Sequence, residues 1–202
     1  MWYILIAIIG YFLGNISSSY LVGKLMAKVD VREHGSGNLG ATNVYRVLGF
    51  KAGAIVFLAD TLKGLLATLI GLWIKGDVGG LIGGIAAVAG HNWPFLLEFK
   101  GGKGIATSFG TLVILFPLIS LILLIVEVLV IVFTGYVSLA SITVAVLFPI
   151  LVIAFKYSIP HIIGAFLLAI LAIYRHRSNI SRLLKGQENK ITSRRNRIGR
   201  LK

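Results

Sequence analysis

The chain has no cysteine, which excludes disulfides, thiol nucleophiles and thiolate metal sites. Charge is scarce as well. Charged residues make up 13% of the 202 residues, where a soluble domain is about a quarter charged. Acid is scarcer than base, with 7 Asp and Glu against 20 Lys and Arg, so few carboxylates are available for acid–base chemistry. The first residues, MWYILIAIIG, carry no basic side chain. They lack the start of a secretory signal peptide and read as a retained membrane helix. No internal repeat is evident.

What the chain has in quantity is hydrophobic sequence: 57% of its residues, with a mean hydropathy of +0.91. Apolar runs of near-membrane length recur at 2–23, 53–74, 79–97, 105–118, 119–134, 139–155 and 158–174. This pattern predicts an all-α, polytopic membrane protein, because only helices and closed barrels satisfy their backbone inside a bilayer. Length suggests one domain, taken as 1–191, followed by a basic tail, 192–202.

The net charge of +13 raises the question of nucleic acid, and its distribution answers no. Basic residues cluster just outside the apolar runs. They lie at Lys24, Lys28, Arg32, Arg46 and Lys51, at Lys100 and Lys103, and ten more follow Tyr174. Seven membrane helices put all three clusters, 17 of the 20 basic residues, on one side. A single helix over 105–134 would push the tail outside, against the preference of cytoplasmic loops for Lys and Arg. The expectation is therefore seven helices with a short hairpin turning near Pro117, N-terminus outside and C-terminus cytoplasmic. The tail after Ile191 reads as an anchor on anionic lipid.

Three polar islands interrupt the grease. The first, GSGNLGATNVYR (35–46), fits the dinucleotide pattern G-x-G-x-x-G, but a membrane helix precedes it where a βαβ unit is required. What remains is loop chemistry. Glycines let successive N–H groups point at an anion, Ser36, Asn38, Thr42 and Asn43 add neutral groups, and Arg46 adds a fork matched to phosphate. The same pattern also suits a flexible connector. The second island, GHNWPFLLEFKGGKGIATSFG (90–110), joins His91, Asn92 and Lys103 to closely set glycines before a new helix near Ile105. A glycine turn feeding a helix N-terminus suits an anion. GGKG is not a nucleotide P-loop, because position 97 is Leu. Trp93 and Pro94 read as an interfacial belt and a helix break. The third island, YRHRSNISRLLKGQENK (174–190), places His176 and Asn179 three apart on one helical face, and Arg175 and Arg177 read as snorkelling anchors. Within the apolar runs, Asp60 and Lys63 stand one turn apart as an ion pair, and Glu127 has no evident local partner.

Taken in order, SGNLGATNVYR, FLADTLKG, GHNWPFLLEFKGGKGIATSFG, GYVSLAS and YRHRSNISRLLKGQENK resemble the PlsY family, the bacterial membrane acyl-phosphate:glycerol-3-phosphate acyltransferases. The resemblance runs to about Ile191. It implies transfer of a fatty acyl group from acyl phosphate to the 1-hydroxyl of glycerol 3-phosphate, giving 1-acyl-glycerol 3-phosphate (lysophosphatidic acid) early in phospholipid synthesis. It further implies a monomer in the bacterial inner membrane with its site on the cytoplasmic side, no cofactor or metal, and a structural part for Glu188. The His-x-x-x-x-Asp motif of soluble-type glycerolipid acyltransferases is absent. The residues five beyond His34, His91, His161 and His176 are Leu39, Leu96, Phe166 and Ser181.

On this reading Ser36, Arg46, Lys103, His176 and Asn179 carry the catalysis by holding phosphate and developing oxyanion. Gly35, Gly37, Asn38, Gly40, Thr42, Asn43, His91, Asn92, Gly101, Gly102, Gly104 and Thr107 form the substrate-binding surface, with Asp60 and Lys63 in support. The proton of the attacking hydroxyl goes either to the phosphate of glycerol 3-phosphate itself or to His176. A small transporter for an anionic metabolite is the competing class. It would place its polar breaks at the bilayer midplane, whereas these three islands fall at one surface.

Overall fold

A computed structural model gives the fold of residues 1–191, and all regular structure among these described residues is helical. The basic tail, 192–202, lies outside them. The helices are α1 (Trp2–Asn15), α2 (Ser18–Ala27), α3 (Ala41–Leu48), α4 (Phe50–Asn92), α5 (Ile105–Leu115), α6 (Pro117–Thr134), α7 (Val137–Ala154), α8 (Ile159–Arg175) and α9 (Arg177–Leu184).

By length and composition four spans suffice to cross a membrane: α1 with α2, α4, α6 and α7. The bent pair α8–α9 makes a fifth if it counts as one span. The 43 residues of α4 are not one rod. Lys75 and Gly76 leave helical geometry, with Gly76 at φ 62°, and the second half folds back on the first. Glycines make that return close: a Cβ on Gly71 would lie 2.1 Å from the Gly79 carbonyl oxygen, and one on Gly83 would lie 2.3 Å from that of Ala67. Without a hydrophobic drive between helices in lipid, close backbone approach of this kind is what packs them.

Two expected boundaries shift. The helix expected to reach residue 97 stops at Asn92, where Trp93 leaves helical geometry and Pro94 follows with an extended backbone. The expected single run 2–23 is interrupted at Ile16 and Ser17, because Ile16 is extended and Ser17 caps α2 by accepting from the Tyr20 amide. The turn expected near Pro117 falls at Phe116, with Pro117 opening α6. At 11 residues, α5 is only about 16 Å long.

The first half of α4 runs antiparallel to α5, with Gly64 against Thr107 and Gly110 against Thr61. The second half runs parallel to α1, with Gly10 against Gly83 and Gly14 against Ala87. One consequence matters for function. The segments 28–40, 93–104 and 176–191 collect at one end of the bundle. The Lys75–Gly76 bend, Phe116 and the 155–158 loop collect at the other, where the rings of Phe116, Tyr157 and His161 stack within 5.5 Å of one another. Between the two ends lies an apolar core built from α4 to α8, including Leu81, Leu112, Phe116, Leu123, Phe148 and Leu168.

Candidate active site

The first island is a loop held from beneath. Asn43 is buried, and its amide is fully engaged: Oδ1 accepts from the Ser36 amide at 2.8 Å, and Nδ2 donates to the carbonyls of Val31 and His34, each at 3.1 Å. Its side chain therefore shapes the loop rather than facing solvent. Gly35 and Gly37 take positive φ, 62° and 70°, conformations a side chain would strain. Ser36 stands exposed at the crest, Asn38 and Thr42 are half-buried beside it, and Gly40 caps α3 with an extended backbone.

Each pair of islands touches. The first meets the second where a Cβ on Gly102 would lie 2.5 Å from the Leu39 carbonyl oxygen. The first meets the third through Arg46, whose guanidinium donates to the Asn189 carbonyl at 3.0 Å. The Nε of Arg46 is buried without a partner among the described residues, so a strong donor stands ready for a ligand. The second meets the third twice. Lys103 Nζ donates to Asn179 Oδ1, and Arg175 donates from Nε to the Gly102 carbonyl at 2.8 Å and from Nη2 to the Gly101 carbonyl at 3.0 Å.

Arg175 is the residue sequence reasoning misplaced. Its guanidinium lies over the Trp93 ring, 5.4 Å from the centroid, and clamps the GGKG turn, where a snorkelling anchor was expected. Arg177 does behave as a surface side chain, stacking on Tyr174.

Behind Lys103 runs a chain of polar groups. Asn179 Nδ2 donates to Glu188 Oε1 at 2.8 Å, Ser138 donates to the same oxygen at 3.0 Å, and Arg182 donates to Oε2 at 2.7 Å. Burial pushes the Glu188 carboxyl up, but these three hydrogen bonds outweigh it and hold the group below the ordinary glutamate range. Burial brings the Lys103 ammonium down to about 8, with Glu188 opposing and the arginines Arg182, Arg46 and Arg175 reinforcing. His176 is buried in the break between α8 and α9, its Nδ1 2.8 Å from the Ala172 carbonyl. Nδ1 must donate there, so the neutral ring presents Nε2 as an acceptor.

Under the glycine turn sits a second polar cluster, within the membrane helices. Lys63 Nζ lies 2.9 Å from Asp60 Oδ1 and 2.8 Å from His91 Nδ1, and Ser18 donates to Asp60 at 3.1 Å. Lys63 also donates to the Ile16 carbonyl at 2.9 Å, an acceptor left open by the break between α1 and α2. His91 in turn bears on the turn: its carbonyl accepts from the Gly102 amide at 3.0 Å, and its ring leaves no room for a Cβ on Gly102. Asn92 and Thr107 are buried beside Gly104 with side-chain polar atoms unpartnered among the described residues. No group of three or more metal-ligating side chains occurs among the described residues.

The arrangement has the chemistry that suits an anion: two glycine turns, a helix N-terminus at Ile105, one ammonium and a guanidinium N–H without a partner among the described residues. Alongside it, an apolar groove begins at Ala172 and Ile105 and runs down between α5, α6, α7 and α8.

The glycerol-3-phosphate acyltransferase family model matches residues 4–186. A glycerol-3-phosphate acyltransferase of Thermoanaerobacter pseudethanolicus is 53% identical over 191 residues, covering 95% of this chain and 96% of that protein. One of Clostridioides difficile is 49% identical over 195 residues, covering 94% and 95%. Among solved structures, the crystal structure of PlsY (YgiH), an integral membrane glycerol 3-phosphate acyltransferase, matches in its glycerol 3-phosphate form. The TM-score is 0.89 at 39% identity, over 93% of this chain and 94% of that one. The lysophosphatidic acid form of the same enzyme matches with a TM-score of 0.87 at 38% identity, over 93% and 94%.

Proposed function

The chain belongs to the glycerol-3-phosphate acyltransferase family, and we propose that its donor is an acyl phosphate, its acceptor glycerol 3-phosphate and its products 1-acyl-glycerol 3-phosphate and inorganic phosphate. The observation that carries this reading is the convergence of Arg46, Lys103 and Asn179, from three separate islands, beside an apolar groove. Both substrates present phosphate, and one brings an acyl chain that the groove suits.

In this mechanism the loop at Ser36, the GGKG turn, Arg46 and Lys103 bind the phosphates, and His176 and Asn179 complete the pocket. The 1-hydroxyl oxygen attacks the acyl carbonyl carbon, charge develops on the carbonyl oxygen, and the backbone N–H groups and Lys103 stabilise it. The bond from carbon to the phosphate oxygen then breaks and phosphate leaves. The hydroxyl proton passes to the phosphate of glycerol 3-phosphate, a dianion above its second pKa near 6. A weak base suffices because the donor is already activated. Nε2 of His176 is the alternative acceptor.

The same reading places the site on the cytoplasmic side of a bacterial inner membrane. Seven crossings, with the N-terminus outside, bring all three islands to one face. The two halves of α4, α5, α6, α7 and α8 follow α1–α2 as successive passes, α5 being shorter than the hydrocarbon thickness of about 30 Å. The protein works as a monomer and needs no cofactor.

The test is turnover by purified protein in detergent, following phosphate release from hexadecanoyl phosphate with glycerol 3-phosphate. Activity with acyl-CoA but not with acyl phosphate would refute the donor. His176→Gln keeps hydrogen bonding and loses useful basicity. If the substrate phosphate is the base, this variant keeps measurable turnover and its pH dependence still follows the substrate. A folded variant that binds glycerol 3-phosphate normally and is inactive would make His176 the base.

A further inference from the structure

The apolar groove has one polar residue that the reaction does not use. Glu127 projects from α6 into the groove wall, among apolar neighbours. Its Oε1 accepts from the Ser141 hydroxyl of α7 at 3.1 Å, and Oε2 has no hydrogen-bond partner among the described residues. Ser108 of α5 lines the same groove. An ionisable side chain in an apolar helix is expensive and marks function unless it is fully paired, and here one carboxyl oxygen has no hydrogen-bond partner among the described residues.

Its depth is defined by the helices. On α7, Ser138 donates to Glu188 and so lies at the level of the candidate site, while Ser141, three residues on, lies about 4.5 Å lower. On α5, Ser108 lies a similar distance below Gly104. Below this level the wall is wholly apolar, from Leu112, Leu123 and Phe148. Ser108 and Glu127 thus form a polar collar one helical turn beneath the reacting carbonyl. An extended chain advances about 1.2 Å per bond, so a collar about 4.5–6 Å below the carbonyl carbon meets an acyl chain at about its fifth to sixth carbon.

We propose that Glu127, held by Ser141, is a specificity-determining residue for the acyl donor. It favours chains with a hydrogen-bonding substituent, such as a hydroxyl, near the carbonyl end over plain saturated chains. The physical reason is the asymmetry of polar recognition: a site built to hydrogen-bond a group discriminates against the analogue lacking it, whose methylenes leave the carboxyl unpaired. This inference rests on the acyl-transfer reading above.

The experiment measures kcat/KM for hexadecanoyl phosphate, 6-hydroxyhexadecanoyl phosphate and 12-hydroxyhexadecanoyl phosphate with glycerol 3-phosphate. The readout is the ratio of each hydroxylated donor to the plain one. Glu127→Leu should lower the 6-hydroxy ratio about tenfold or more and leave the 12-hydroxy ratio unmoved. Glu127→Gln, which keeps a hydrogen-bonding head, should retain most of the preference. Ser141→Ala, which frees the carboxyl without removing it, should also move the 6-hydroxy ratio, and it serves if Glu127→Leu fails to fold. A 6-hydroxy ratio unchanged in folded Glu127→Leu or Ser141→Ala would overturn the inference and leave Glu127–Ser141 as a link between α6 and α7. A wild-type protein that turns over none of the three donors would refute the acyl-transfer reading and this inference with it.

Discussion

Replacing Lys103 probes the candidate site most directly, because its charge is both buried and conditional. Its ammonium reaches Asn179, and burial lowers its pKa to about 8. Below that value the group is charged and, on the proposed mechanism, holds phosphate; above it the free protein loses the charge. The expected log kcat/KM for glycerol 3-phosphate therefore has an alkaline limb near pH 8. An acid limb follows the second pKa of the substrate phosphate, near 6. Lys103→Ala removes a charge-assisted hydrogen bond worth about 1.5–3 kcal/mol, which is about a ten- to hundredfold loss in kcat/KM. Lys103→Arg keeps a cation that does not titrate below about pH 12. It should abolish the alkaline limb even where misplaced geometry lowers the plateau. Steady-state kinetics between pH 5.5 and about 9.5 read both effects. An alkaline limb that survives in Lys103→Arg, or unchanged kinetics in folded Lys103→Ala, would remove Lys103 from the site.

Arg175→Ala should raise the KM for glycerol 3-phosphate about tenfold, with a smaller effect on kcat, because it releases the carbonyls of Gly101 and Gly102; equal KM values would reduce Arg175 to an anchor. Glu188→Ala leaves the donors of Ser138, Asn179 and Arg182 without their acceptor, at a cost of about 1–3 kcal/mol, so its melting temperature should fall several degrees by thermal shift. Because the folded carboxyl sits below its ordinary value, that stabilisation is present above the unfolded glutamate pKa of about 4.3. It is lost as pH falls through the lowered folded value, and a wild-type stability flat down to pH 3 would contradict it. For topology, a cysteine label at position 2 should react from outside the cell and one at position 195 from inside; both reacting from one side would overturn seven crossings.

Helix content and the islands were legible from sequence for one reason. Hydrocarbon tolerates few polar residues, so runs such as 105–134 stand out and whatever interrupts them is informative. Helix lengths were less legible, because apolar composition marks where a chain is buried and not where its backbone turns. Gly76, the reversal point of α4, lies among thirteen other glycines from residue 49 to residue 110. Nothing in composition separates it from Gly71 and Gly79, which pack helix on helix.

Roles within the islands were harder to read, because a side chain's role depends on what lies opposite it. Asn43 and Asn179 look alike as polar residues beside helices, yet one is closed on its own loop while the other meets Lys103 across 76 positions of chain. Arg175 and Arg177 flank the same histidine. The break between α8 and α9, bent by 59°, turns one toward the glycine turn and leaves the other on the surface. Glu127 lacked a local partner because its partner, Ser141, belongs to the next helix. The polar islands of such a chain thus specify the chemistry it offers, groups suited to an anion beside an apolar groove. Which residue could touch an anion and which holds the loop is decided by packing between helices, where glycines such as Gly64, Gly71 and Gly110 leave no room for a Cβ against the facing backbone.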